Sequence, residues 1–153
     1  MPKDFWGWTW LCLLLWALLY PSLSRGADLS KDQAASLYAI AYGQVGFLPE
    51  DAPTIYLTPA DKLDEIVCGK PCGAKAAQVE KAIYLLETLD MTEPFNASIL
   101  LHELVHFVQW KKNGPSKDCD EYRAREVEAY QIQFDALERL GIRPPSVAIP
   151  ICI

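Results

Sequence analysis

The residues best able to do chemistry lie close together in the segment 99–110. Most of this segment is apolar, which predicts a largely buried helix. Polar residues interrupt it at His102, Glu103, His106 and Gln109. Because successive helical residues are about 100° apart, these positions lie on one face. Unpaired polar groups on a buried helix are costly, so we expect a partner that satisfies them.

A zinc ion is the partner that suits this polar face best. The imidazoles of His102 and His106 are one helical turn apart and can bind one ion through nitrogen. Glu103, beside them, can accept a proton from water that the metal activates. The alternative is a pair of hydrogen-bonded core histidines, but it leaves Glu103 unexplained and places the chain's only two histidines at this spacing by chance. The pattern therefore predicts a hydrolytic zinc site.

The run His102-Glu-Leu-Val-His106 resembles the active-site helix of the zincin metallopeptidases. With no other histidine in the chain, the third protein ligand cannot be histidine, which favours the gluzincins, of which thermolysin is the familiar member. In that family a Glu on a second helix is the third ligand, and Glu126 lies at a similar spacing here. The family often has an acidic residue four positions later, where this chain has Tyr130. The chain is also similar to small exported bacterial HExxH proteins of unassigned function.

The resemblance implies a secreted zinc-dependent metallopeptidase in which Glu103 is the general base. A peptide or protein substrate is implied by the resemblance alone, because the same site would serve other amide or ester hydrolyses. Tyr130 and Tyr122 are candidates to stabilise the oxyanion of a tetrahedral intermediate, although buried tyrosines are more often core residues. The alternative function is an exported zinc-binding or partner-binding protein without catalytic activity.

The choice of third ligand can also be argued from the last predicted helix. Glu126 and Glu128 are about 200° apart around the helix axis, so only one can face the histidines. The face of Glu126 is mostly apolar or small and includes Ala129, whereas the face of Glu128 is largely polar and looks solvated. Glu128 is also placed for a surface pair with Arg125. We therefore expect Glu126 to be the ligand, with Glu128 as the alternative.

The polar residue Gln109 allows two interpretations. It lies on the ligand face, where its side chain can orient His106 or Glu103 through a hydrogen bond. It can equally be a partly exposed helix residue without such a role.

Two long helices must position these residues. The first is predicted over 95–112, and the second over 120–140, after a capping box of Asp118 and Glu121. The other predicted elements are a helix over 31–42 capped by Ser30, a strand over 54–57, a short helix ending at Val67, a loop over 69–75 and a strand over 82–86. In zincins an edge strand precedes the active-site helix, and the segment 82–86 is the candidate for it. Together these elements predict a small α+β domain of zincin type, mostly helical with a short sheet.

The first 26 residues have the layout of a secretory signal peptide. Lys3 precedes an apolar run that is densest over 11–20, and small residues follow Pro21. An uncleaved membrane anchor is the alternative, but the run is shorter than the roughly 20 apolar residues that a spanning helix needs. We therefore expect residues 27–153 to form one metallopeptidase domain that is periplasmic or extracellular and not stably inserted in a membrane.

Export also changes the interpretation of the cysteines. The four cysteines after the predicted signal peptide favour two disulfides in an oxidising compartment. We expect the pairs Cys68–Cys72 and Cys119–Cys152. A cysteine zinc site is the weaker alternative, because the spacing of Cys68 and Cys72 differs from that of zinc knuckles.

The net charge bears on the class of partner. The chain has a formal net charge of −6, whereas binding to nucleic acid phosphates requires a basic face. Nucleic acid is therefore not an expected partner. The sequence leaves the oligomeric state open.

Overall fold

Two long helices and a small sheet form the framework of the computed structural model, which describes residues 29–148. The elements in chain order are α1 (Lys31–Val45), β1 (Thr54–Thr58), α2 (Ala60–Cys68), β2 (Ala76–Val79), β3 (Ala82–Leu86), α3 (Pro94–Asn113) and α4 (Cys119–Arg139). The predicted α+β class with a short sheet is confirmed. Every predicted helix and strand is present, and β2 is an additional strand.

The helix ends follow local capping chemistry. The Ser30 side chain accepts a hydrogen bond from the Gln33 backbone at the start of α1, and Asp118 does the same for Glu121 at the start of α4. Helix α1 runs beyond its predicted end near residue 42, because Gly43 is tolerated inside the helix. Gly46 ends α1 with a left-handed φ of 68°, a conformation that glycine adopts without steric cost.

The sheet has the strand order β1-β3-β2. Strand β3 pairs in parallel with β1 and antiparallel with β2, so the segment 82–86 is the central strand. The prediction that it is the edge strand beside the active-site helix is therefore wrong. Its residues Ile83 and Leu85 are fully buried, as suits a central position. The strand at the edge beside α3 is β2, whose Gln78 backbone amide donates a hydrogen bond to Glu103.

Helix α3 is the centre of the hydrophobic core and packs against α1, α4, β2 and β3. Six of its apolar residues are almost completely buried; they are Leu100, Leu101, Leu104, Val105, Phe107 and Val108. Ala129 of α4 is also fully buried, and its small side chain suits a close approach of α4 to α3. The core thus holds α3 between the sheet and the helix that carries Glu126.

One of the two predicted disulfides lies within the described residues. The Cys68–Cys72 bridge is present and closes the loop after α2. The predicted Cys119–Cys152 bridge involves Cys152, which lies outside the described residues, as does the predicted signal peptide. Within residues 29–148, no helix combines the length and the apolar content needed to cross a membrane.

The central place of α3 in the core gives a stability prediction. Leu100→Ala should lower the free energy of unfolding by about 2–5 kcal/mol, because it leaves a cavity beside a side chain that is 0% exposed. The same change at Leu48, which is 67% exposed, should alter it by less than about 0.5 kcal/mol. Chemical denaturation of both variants measures the difference. Equal effects would contradict this description of the core.

Candidate metal centre

Three side chains from α3 and α4 meet in a buried cluster. His102 and His106 lie one turn apart on α3, and their Nε2 atoms are 3.0 Å apart. Glu126 of α4 extends between them, with one carboxylate oxygen 3.2 Å from Nε2 of His106 and the other 3.6 Å from Nε2 of His102. These three residues could hold a metal ion, since each directs one ligand atom into the same small space.

The electrostatics of the cluster keep Glu126 ionised. Burial alone would raise the pKa of Glu126, but hydrogen bonds and charge attraction from His102 and His106 outweigh it and hold the pKa below its usual range. Burial and the carboxylate of Glu126 together raise the pKa of Tyr122 to about 12. Glu126 is therefore an anion that contacts two imidazoles and lies near the Tyr122 phenol.

Glu103 lies beside the cluster and not within it. Its carboxylate accepts a hydrogen bond of 2.7 Å from the backbone amide of Gln78 in β2. Burial raises the pKa of Glu103, although His106, His102 and this amide act in the opposite direction. A carboxylate with a raised pKa can take up a proton more readily than an ordinary glutamate.

A hydrogen-bond network fixes the orientation of His106. The Nδ1 atom of His106 lies 2.9 Å from Oε1 of Gln109. The amide nitrogen of Gln109 donates to the Arg125 carbonyl at 3.1 Å and to the Glu128 carboxylate at 2.8 Å. With both donors engaged, Gln109 presents its oxygen to the ring, which favours a proton on Nδ1 and leaves Nε2 free to bind a metal.

His102 is held in a different way. Its Nδ1 atom is buried and has no hydrogen-bond partner within the described part of the chain. The ring of Tyr130 lies against the imidazole instead, with the ring centroids 4.3 Å apart. Packing against Tyr130 therefore restrains the ring of His102.

The cluster opens into two adjoining pockets. The larger is a cleft of about 640 Å³ that contains all three candidate ligands and Glu103, with β2 along one side. The smaller, of about 240 Å³, is lined by His102, Glu103 and Tyr130 and by apolar side chains that include Val147 of the C-terminal segment. A ligand in either pocket can therefore reach the region between Glu103 and the histidines.

The structure brings together the residues that the sequence indicated. His102, Glu103, His106 and Glu126 share one cleft, and Tyr122 and Tyr130 lie at its wall. Glu128 is exposed, as expected of a solvated face, and in addition it accepts a hydrogen bond from Gln109. Arg125 does not serve as its partner, since it bonds Glu121 and the Gly114 carbonyl.

Two supporting contacts were missed by reasoning from the sequence. One is the backbone amide of Gln78, which lies on a strand whose segment 76–79 contains few typical strand formers. The other is Glu128, which reaches Gln109 from the adjacent helix. The polarity of the Gln109 position inside an apolar helix was the one available signal, since a buried amide requires partners.

The geometry predicts that Glu126 contributes directly to metal affinity. Glu126→Ala should weaken binding of a divalent metal by at least about 100-fold, because it removes one of three ligands and the only anion among them. Glu138→Ala, an equal change at an exposed position of α4, should leave affinity unchanged. Competition with a chromophoric chelator measures both. Unchanged affinity in the Glu126 variant would show that this carboxylate is not a ligand.

Comparison with known proteins adds a family but no activity. Residues 48–152 match a domain of unknown function (DUF6647), a range that covers more than half of the chain and includes all three candidate ligands. No curated protein and no solved structure matches the chain. The chain therefore belongs to the DUF6647 family, whose domain has no assigned function.

Proposed function

We propose that this protein is an exported zinc-dependent peptidase. The observation that carries the proposal is the meeting of His102, His106 and Glu126 in an open cleft beside the half-buried carboxylate of Glu103. Three ligands and an adjacent base are the arrangement that metal-assisted hydrolysis needs.

The distances within the cluster support zinc as the metal. Zinc bonds to imidazole nitrogen and carboxylate oxygen are about 2.0–2.2 Å, so tetrahedral geometry places neighbouring ligand atoms about 3.3 Å apart. The two imidazole nitrogens are 3.0 Å apart, and the Glu126 carboxylate places one oxygen 3.2 Å from His106 and its other oxygen 3.6 Å from His102, which are separations close to this value. Two nitrogens and one oxygen also form a ligand set typical of catalytic zinc.

Glu103 is suited to the role of general base. Zinc, when bound, supplies Lewis acidity that lowers the pKa of water and polarises a carbonyl oxygen. Glu103 would take the proton from the attacking water and pass it to the leaving nitrogen. The Gln78 amide holds one oxygen of this carboxylate, and Glu103 lines the cleft.

The cleft favours an enzyme over a closed metal-binding module. The candidate metal cluster has three members within residues 29–148, which leaves a fourth tetrahedral position for water or substrate. Structural zinc sites usually fill that position with a protein ligand. A non-catalytic zinc-binding or partner-binding protein stays the alternative, and turnover separates it from the enzyme.

A peptide substrate is supported by the extended backbone beside the cleft. The residues Ala76 to Glu80 line the larger pocket, so β2 and the turn after it run along the site. An extended peptide can lie beside such a backbone segment and form main-chain hydrogen bonds with it. Export is supported by the signal-like first 26 residues and by the Cys68–Cys72 disulfide, which suits an oxidising compartment.

The role of Glu103 gives a test of the enzymatic proposal. Glu103→Gln should keep the fold and the zinc but lower kcat/KM on a peptide library by at least about 100-fold, because it removes the proton acceptor and no ligand. Mass spectrometry of the library measures cleavage, and zinc content is measured on the same samples. Glu87→Gln, at an exposed position, is the matched control. Full activity in the Glu103 variant, or no zinc-dependent cleavage by the native chain, would contradict the proposal.

A further inference from the structure

We propose that Glu128 is a positioning residue that acts through Gln109 to keep His106 in its metal-binding form. This inference rests on the proposed metal site but not on the identity of the substrate. Glu128 lies on the surface of α4, two residues from the candidate ligand Glu126, and by composition looks like an ordinary solvated carboxylate.

Gln109 lies on α3, is 1% exposed and is held in one orientation by α4. Its amide nitrogen has two acceptors on α4, the Arg125 carbonyl at 3.1 Å and the Glu128 carboxylate at 2.8 Å. A 180° flip of the amide would set its oxygen against both of them. The orientation with oxygen toward His106 is therefore strongly favoured.

The position of the proton on the His106 ring decides whether this side chain can bind a metal. A neutral imidazole carries its proton on either Nδ1 or Nε2, and only a deprotonated Nε2 can bind the metal in this cluster. Both nitrogens have a competing acceptor, since Oε1 of Gln109 lies 2.9 Å from Nδ1 and a carboxylate oxygen of Glu126 lies 3.2 Å from Nε2. An oriented Gln109 shifts the balance toward a proton on Nδ1, which leaves Nε2 ready for the metal.

Glu128 and the Arg125 carbonyl contribute differently to the orientation of Gln109. The carbonyl is part of the helix backbone and remains in any variant, but it engages only one of the two amide protons of Gln109. The Glu128 carboxylate engages the other, and a hydrogen bond to a charged acceptor is the stronger kind. Removal of Glu128 would thus loosen the orientation of Gln109 without abolishing it.

His102 lacks the kind of hydrogen bond that Gln109 makes with His106. Nδ1 of His102 has no hydrogen-bond partner in the described part of the chain, so nothing comparable fixes its proton. Within residues 29–148, Nδ1 of His106 has a hydrogen-bond partner in Gln109, and Glu128 in turn holds Gln109. Loss of Glu128 would therefore loosen the orientation of His106, which is the more firmly held of the two histidines.

The test is zinc affinity of the purified full domain, measured by competition with a chelator. We expect Glu128→Ala to raise the Kd for zinc by about threefold to tenfold and Gln109→Ala to raise it by about 10- to 100-fold. Glu128→Gln should stay close to the native value, because its amide oxygen can accept the same hydrogen bond. Glu138→Ala, an equal loss of charge on α4 away from the cluster, should have no effect.

A double variant separates positioning from simple charge attraction. If Glu128 acts through Gln109, Glu128→Ala should weaken zinc binding no further in a Gln109→Ala background. An equal loss in both backgrounds, or a Glu128→Gln variant as weak as Glu128→Ala, would overturn the proposal and assign the effect to charge alone. Both outcomes are distinct from a native domain that binds no zinc, which would overturn the metal site itself.

A spectroscopic measurement detects the hydrogen bond independently of affinity. The chain has only two histidines, so the ring N–H protons of the zinc-loaded protein can be assigned simply by NMR. The Nδ1 proton of His106 should exchange with solvent more slowly than that of a free ring, and faster after Glu128→Ala. Identical exchange rates in the native protein and this variant would contradict the positioning role. Thermal unfolding of each variant excludes loss of the fold as the cause.

Discussion

The arrangement depends on one carboxylate that is held between two imidazoles across a helix pair. Glu126 is 7% exposed, and a buried anion without partners would be strongly destabilising. His102 and His106 contact it from α3, and these two contacts couple α4 to α3. A divalent cation at the same point would neutralise the anion and bind both imidazole lone pairs. The ion that stabilises the buried carboxylate would then also be the metal that the proposed function requires.

The fold supports this cluster from both sides. Burial of the apolar faces of α3 fixes its position between the sheet and α4. Strand β2 then places a backbone amide on Glu103, and α4 places Glu128 on Gln109. Glu103 and His106 are therefore supported by groups from two different neighbouring elements of α3, which limits the motion of both side chains.

Much of the site could be predicted because its signal is local. The spacing of His102, Glu103 and His106 is contained in two turns of one helix, and helical periodicity alone places their side chains together. Glu126 required a choice between two helix faces, and the apolar character of one face indicated which of them packs inward. The structure brings Glu126 to the histidines, in agreement with that choice.

The parts that could not be predicted depend on contacts between distant segments. Strand β2 has the sequence Ala-Ala-Gln-Val, and only its pairing with β3 makes it a strand. Gln78 and Glu128 gain their roles from the neighbours that tertiary packing gives them, because neither has an unusual local sequence. The central position of β3 was likewise decided by the third strand and not by the sequence of 82–86.

The most direct test of the central claim is anomalous diffraction at the zinc absorption edge from crystals of the domain grown with one equivalent of zinc. We expect a single strong peak about 2.0–2.2 Å from Nε2 of His102, Nε2 of His106 and a carboxylate oxygen of Glu126. Glu103 should lie nearby without bonding the metal directly. A peak at another site, or none in a crystal with the same side-chain arrangement, would contradict the claim that this cluster is a zinc centre.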